Sequence, residues 1–454
     1  MPNNVKGARS QSRISGKWGL SIAVIAFGVL AWRQIRMVDR YTVNLMVQDQ
    51  WWYYQNMAEH GTWWSSFTFQ LGPHRMGVGL LVTRVLAGLS GWNSRWDAFA
   101  VSFTLIVAAA LAWKLALRCG AAAGAGLAAI PLLFFNVHEY AAMTETANLS
   151  HGAMPLFLIM LFSLASFARS AAWRLFVQGL LTFLMIFTGF GLFMGAVAPL
   201  IFSIEAVQAR RSGKHARFGW SVFAIAVAAT GWALFFHHYE FTSSISNFRF
   251  PYEKPHEYFL FIAIMLANFF GVAGAGPGVI WLGAAVGLAI VLTAGVHGYR
   301  LVRKGVAGNP ASTVIFCVAA FEVLYLINTS IGRVMLGLDG APLAPRYVVL
   351  IIPGVFAIFL SLANLKSARL GSVLILVFAA LLVPATAFMR ASEKENMERF
   401  AAGRQMWKHA YLETHNEAEA SARSHFDIFV VPVPDRLRYL EEHRLNLFHD
   451  QPSH

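Results

Sequence analysis

Apolar runs of about twenty residues recur along this 454-residue chain, and no other feature of the sequence restricts its fold as severely. A bilayer's hydrocarbon core is about 30 Å thick, so about 20 apolar helical residues cross it. Every backbone N–H and C=O inside that core must be satisfied internally, which leaves helices or closed barrels. Continuous rather than alternating apolarity selects helices. The runs lie at 18–38, 97–117, 121–137, 153–168, 174–190, 191–207, 218–238, 278–298, 311–331, 346–364 and 370–389. They predict an all-α polytopic membrane protein with eleven spans. Two short or glycine-broken stretches, 76–90 and 257–275, raise the upper count to thirteen. Charged residues make up only 13% of the chain, against about 25% in soluble domains, so a soluble fold cannot hide these runs.

The positive-inside bias orients the spans. Lys6, Arg9, Arg13 and Lys17 precede the first run. Later runs are separated by Lys114 and Arg118, by Arg169 and Arg174, by Arg210, Arg211, Lys214 and Arg217, by Arg300, Arg303 and Lys304, and by Lys366 and Arg369. If all these groups are cytoplasmic, 76–90 and 257–275 must enter and leave on the outer side, as juxtamembrane or re-entrant helices. Residues 1–17 are then a cytoplasmic basic N-terminus. Residues 18–389 form the transmembrane domain, with outer loops at 39–96, 138–152, 239–277 and 332–345. Residues 390–454 form a small extracytoplasmic cap, and RLRYLEEHRL places Leu437, Leu440 and, less neatly, Leu445 on one helix face after an extended DIFVVPVP.

The acids agree with an orientation set from the bases alone. The tail from 390 holds 11 of the 23 acids, and ten of the remaining twelve fall on the outer side or at that boundary; the other two are Glu205 and Glu322. The net charge of +13 is therefore an orientation signal, and no nucleic-acid partner is expected. The first run lacks a small-x-small cleavage site and reads as an uncleaved signal anchor. Cys119 and Cys317 supply no disulfide framework. The GVAGAGPG of 271–278 lacks the preceding strand of a phosphate-binding loop and reads as a bend. Chemistry is thus expected in the outer loops, on a membrane-borne or extracytoplasmic substrate.

The first outer loop contains QDQWWYYQ and GPHRMG. Asp49, beside Trp51, Trp52, Tyr53 and Tyr54, either caps an interfacial helix or is a partly desolvated carboxylate able to take a proton or bind a divalent cation. His74 and Arg75 open the 76–90 helix, where a guanidinium fork and helix N-terminal amides suit a lipid phosphate. Arg333 and, at the mouth of the following span, Arg346 and Tyr347 flank the last outer loop. Outer boundaries usually lack arginine, so Arg75, Arg333 and Arg346 call for an anionic partner or membrane lipids. In the second outer loop, Glu139 and Glu145 are candidate second acids and His138 and His151 candidate ligands, or all four are solvated; no spacing matches a metal signature. His237 and His238 are read as interfacial and pointing apart. Glu322, within a span, is expected to face the bundle interior with Tyr325 as candidate partner.

The first span, the acid-bearing VQDQWWYY, the PHRMGVGLLVTR helix, paired spans with basic turns and the RY of APRYVVLIIPG together resemble the C-type (GT-C) integral-membrane glycosyltransferases, which use polyprenol-linked sugar donors. The tail YLEEHRLNLF is similar to that of a bacterial branch of that superfamily. The resemblance covers most of 18–389 by topology, with short motifs. It implies a GT-C-like fold in a bacterial inner membrane and inverting transfer of a hexosyl or pentosyl group from a polyprenyl-phosphate-linked sugar to a lipid or polysaccharide acceptor. Asp49 would be the base, Arg346 with Arg75 would hold the leaving phosphate, and a divalent cation is the one cofactor allowed, with no metal ligands assigned. Two departures stand: the usual acidic pair is Asp49–Gln50, and the usual second-loop acid has only Glu139 or Glu145 as a counterpart. Glu322 and the broken 257–275 stretch motivate a different class, a transporter or flippase of lipid-linked saccharide. A non-catalytic assembly protein is the third.

Overall fold

Helices answer the hydrocarbon's demand for internal hydrogen bonding along most of the chain. The computed structural model describes residues 4–59, 61–145, 147–241 and 248–449, with side chains from Trp18 onward. The side chains of Lys6, Arg9, Arg13 and Lys17 and the last five residues of the expected cap lie outside the described residues. Among the described residues, eight helices are long and apolar enough to cross a membrane: Trp18–Tyr41, Arg95–Arg118, Gly189–Arg211, His215–Phe236, Pro277–Lys304, Pro310–Leu336, Pro345–Ala363 and Ala368–Thr386. Among the described residues the only sheet is a two-stranded hairpin, Gln70–Leu71 with His74–Arg75. This is an all-α membrane protein.

Three of the eleven expected spans form shorter helices. They are Ala125–Glu139, Ala153–Ala165 and Ala171–Ile186. The first begins only after Gly120 and Gly124, and it opens as a 3-10 turn at Ala125–Ala128 before becoming α-helical at Ala129–Phe134. Glycine's weak helix propensity shortens it. The third stops before the Gly189-Phe190-Gly191 turn.

Helix faces separate lipid from protein. Along Pro277–Lys304, Gly283, Ile290, Thr293, His297 and Leu301 form a buried stripe at helical spacing, while Trp281, Leu288, Val291 and Val302 are exposed on the other side. Gly283 is required by packing, because a Cβ there would stand 1.8 Å from the carbonyl oxygen of Ala263 in the His256–Phe269 helix.

The basic turns meet at one end of the bundle. There Arg174 grips the Glu205 carboxylate with both Nη atoms, and Arg217 Nε lies 3.0 Å from the same group, beside a cavity of about 70 Å³ also lined by Ser166, Val306 and Thr313. Glu205, one of the two acids not assigned to the outer side, is buried and fully paired. The other, Glu322, accepts from the Gly354 backbone N–H at 3.1 Å. Tyr325 is not its partner; that hydroxyl donates to the Tyr347 carbonyl.

The remaining loops gather at the opposite end. Both short apolar stretches start and finish there. Gly77 packs on Phe187 and the Gly91 carbonyl accepts from the Asn446 backbone; the Arg249 backbone N–H reaches Met335, and the Phe269 carbonyl accepts from Asn136.

The tail folds onto this end as three helices, Ala391–Thr414, Glu417–Ser424 and Pro434–Glu442. Its Trp407, Leu437, Leu440 and Leu447 share one apolar core with Leu45, Met46, Trp51, Tyr54 and Leu80 of the first outer loop and the helix after it. Asn446 locks the two together. Its amide donates to Asn44 Oδ1 and to the Trp92 carbonyl, each at 2.8 Å, and Asn44 Nδ2 donates back to the Asn446 carbonyl at 2.9 Å. Leu437 and Leu440 are buried as the helical spacing predicts, whereas Leu445 is only partly covered. The DIFVVPVP segment is irregular rather than a strand: Pro432 and Pro434 cannot donate to a ladder, and Val430 and Val431 are exposed.

Candidate functional site

Asp49 stands at the start of the Gln50–Ala58 helix without capping it. Its backbone is already helical (φ −59°, ψ −19°), whereas a capping side chain needs an extended residue, and no cap hydrogen bond forms. The preceding residue is pinned instead, with the Gln48 N–H donating to the Ile428 carbonyl of the cap at 2.8 Å. The carboxylate is left free for other work.

The 70–75 hairpin places His74 and Arg75 on adjacent positions but sends them to different tasks. Gly77 (φ +35°) lets the chain leave the hairpin for the next helix, since a Cβ there would lie 1.7 Å from the Phe187 carbonyl oxygen. Arg75 is buried and donates to the carbonyls of Thr68, Phe235 and His237, closing the end of the His215–Phe236 helix. The expected role of Arg75 at a lipid phosphate is therefore replaced by a structural one. Arg75→Met is expected to leave these carbonyls unsatisfied and cost about 1–3 kcal/mol, read as a lower melting temperature in detergent. The neighbouring His237 and His238 do not point apart on a helix, because the helix ends at Phe236; their ring centroids are 4.0 Å from each other.

Asp49, His74, Arg333, Arg346 and Tyr347 line a single cavity of about 450 Å³. Five of the eight candidate site residues thus converge from two outer loops, and His151, a candidate ligand, joins them from a third. Trp52, His151 and Phe190 also line it. Phe190 packs against both imidazoles, its ring centroid 4.4 Å from that of His74 and 5.7 Å from that of His151, while the two imidazoles meet edge to face at 5.6 Å. Hydropathy passes over Phe190; the signal for it is an aromatic held between two glycines at the seam of two apolar runs.

Charge in the cavity is unbalanced toward positive. Among the described residues neither Arg333 nor Arg346 forms an ion pair or a hydrogen bond through its side chain; Arg346 is exposed and lies over the Tyr347 ring at 5.6 Å. Burial pushes the Asp49 carboxyl above the usual carboxylate range, against the smaller opposing pull of Arg346 and then Arg333. Burial also drives His74 and His151 down to about 3, reinforced for His74 by His151 and Arg333, and for His151 by Arg346 and Arg333. Both imidazoles are neutral at neutral pH. Asn148 fixes the tautomer of one of them. Its Oδ1 accepts from the Ser150 and His151 backbone N–H groups, so its Nδ2 must donate to His151 Nδ1 at 2.6 Å, leaving the proton on Nε2 with no partner among the described residues.

The two candidate second acids part company. Glu145 lies where Arg404 and Arg346 act on it, though burial dominates and raises its carboxyl. Glu139 is fully buried, neither of its oxygens has a hydrogen-bond partner among the described residues, and the charge acting on it is Arg33 in the first span. The second outer loop is therefore not a solvated one. His138 is buried and paired with Glu393 of the cap at 2.7 Å. A divalent cation does not fit the donor set. Among the described residues no three His, Cys, Asp or Glu side chains group to hold one, and two unpaired guanidiniums face the carboxylate.

What fold and site define together is an all-α membrane protein with an anion-competent cavity that contains one free carboxylate. No family model, curated protein or solved structure matches the chain.

Proposed function

We propose that this cavity is the donor site of a membrane glycosyltransferase that moves a sugar from a polyprenyl-phosphate carrier to a lipid or polysaccharide acceptor. The observation that carries the reading is a carboxylate that caps no helix sharing one cavity with two guanidiniums that form no ion pair among the described residues. Asp49 accepts the proton of the acceptor hydroxyl as that oxygen bonds to the anomeric carbon. The bond from that carbon to the phosphate oxygen breaks on the opposite face, its electron pair passing to the phosphate, and the configuration inverts. Arg346 and Arg333 hold the charge that develops there. The neutral imidazoles of His74 and His151 bind hydroxyls without adding positive charge.

The proposal extends to topology. The three shorter helices each link the cluster at the basic turns to the cavity end, which supports eleven crossings in a GT-C-like arrangement. With the basic turns cytoplasmic, the cavity and cap lie on the extracytoplasmic side of a bacterial inner membrane. The transporter reading draws less support, since Glu322 is fully buried against Gly354 and lines neither cavity at the loop end.

Reconstituted protein given radiolabelled polyprenyl-phosphate sugars is expected to transfer label to an envelope lipid or glycan fraction. Arg346→Ala is expected to lower transfer by about 10²–10³-fold, the effect of removing one oxyanion-stabilising donor. Transfer unaffected by Arg346→Ala, or no transfer from any donor, overturns the reading.

A further inference from the structure

A second cavity, of about 380 Å³, lies between the first outer loop and the cap. One wall is aromatic: Trp92 stands with its ring centroid 5.2 Å from Tyr54 and 5.9 Å from Tyr439. Trp92 reaches this position in a left-handed backbone conformation (φ +62°), which a bulky residue rarely adopts, and its carbonyl is held by Asn446. The facing edge is a polar rail. Arg436 Nη2 donates to Gln55 Oε1, and Gln55 Nε2 donates to Glu59 Oε1 at 2.5 Å, so the amide is oriented from both sides. Two donors of the lining remain unused: Arg436 Nη1 and the indole N–H of Trp51, a residue only 2% exposed, have no acceptor among the described residues.

This division of labour has a chemical counterpart. A pyranose ring presents an apolar C–H face that stacks on an aromatic ring and an equatorial rim of hydroxyls that accept from guanidinium or indole and donate to carboxylate. The charges along the rail also oppose each other, Glu59 acting on Arg436, so the cavity does not carry the net positive field that an anion requires. We infer that this cavity binds a neutral hexopyranose unit of a glycan. Arg436, which lines it, stacks over Trp52 at 4.9 Å, and Trp52 lines the Asp49 cavity, so the linings of the two cavities touch at this pair. That the bound unit belongs to the acceptor rests on the transferase reading. The saccharide binding itself does not.

The test is saturation-transfer NMR on the full chain in nanodiscs. The probes are soluble tetrasaccharides of glucose, mannose, galactose or N-acetylglucosamine, each titrated separately. At least one is expected to receive saturation on its ring protons. Trp92→Ala should weaken that binding about tenfold or more, Trp92→Phe should restore most of it, and Gln55→Ala should weaken it without removing an aromatic ring. Asp49→Asn should leave it intact. Binding by none of the four, or binding that survives Trp92→Ala and Gln55→Ala, overturns the inference. Saccharide binding in a protein that transfers no labelled sugar upholds this inference and defeats only the transferase reading.

Discussion

The Asp49→Asn variant is expected to lower sugar transfer by about 10²–10⁴-fold, the range lost when a positioned general base is removed, while its melting temperature does not fall. Asparagine keeps the shape of the side chain and removes its basicity. No cap hydrogen bond or ion pair among the described residues depends on that carboxylate, so its loss takes no contact from the fold. Because burial raises the Asp49 carboxyl, folding favours its protonated form. The stability this contributes is complete below the unfolded-chain pKa and is lost as pH rises through the folded value. The ionised base is therefore held against its own preference, and Asp49→Asn should be at least as stable as the parent at neutral pH. For the same reason the parent's transfer rate should fall with decreasing pH in a limb lying above the range of an exposed aspartate. Equal transfer by the variant, or a melting temperature several degrees lower, would make Asp49 a structural residue.

Trp407→Ala is expected to loosen two segments that are far apart in sequence. Trp407 is fully buried, stacks on Tyr411 at 5.0 Å and donates its indole N–H to Ser421 at 3.1 Å. Truncating a buried tryptophan costs about 3–5 kcal/mol. Because its core is shared with Leu45, Met46 and Trp51, the loss should appear in hydrogen exchange over both 391–449 and 43–92, with the spanning helices still protected. Faster exchange confined to the cap would show that the loop has a core of its own.

Hydropathy was sufficient to read most of the bundle, because the bilayer imposes one length and one hydrogen-bonding rule on every crossing. It overestimated the length of three helices, two of them where glycine or a glycine-aromatic turn interrupts a run that remains apolar. Residue chemistry in the loops singles out Asp49, His74, Arg333, Arg346 and Tyr347, which share one cavity. It failed for Arg75 for a definite reason: a guanidinium's five donors serve carbonyl oxygens as well as phosphate, and sequence does not say that a helix terminus with open carbonyls lies across from it. The second cavity was hidden more thoroughly. Its aromatic wall joins Tyr54, Trp92 and Tyr439, residues that only the docking of the tail brings together.

The Asn44–Asn446 clasp also has a meaning in time. A ribosome makes Asn44 early and Asn446 only after the eight long apolar helices found among the described residues, so the loop that carries Asp49 gains this clasp only once those helices have been synthesised. The clasp thus ties the shape of the first outer loop to a residue 402 positions further along the chain.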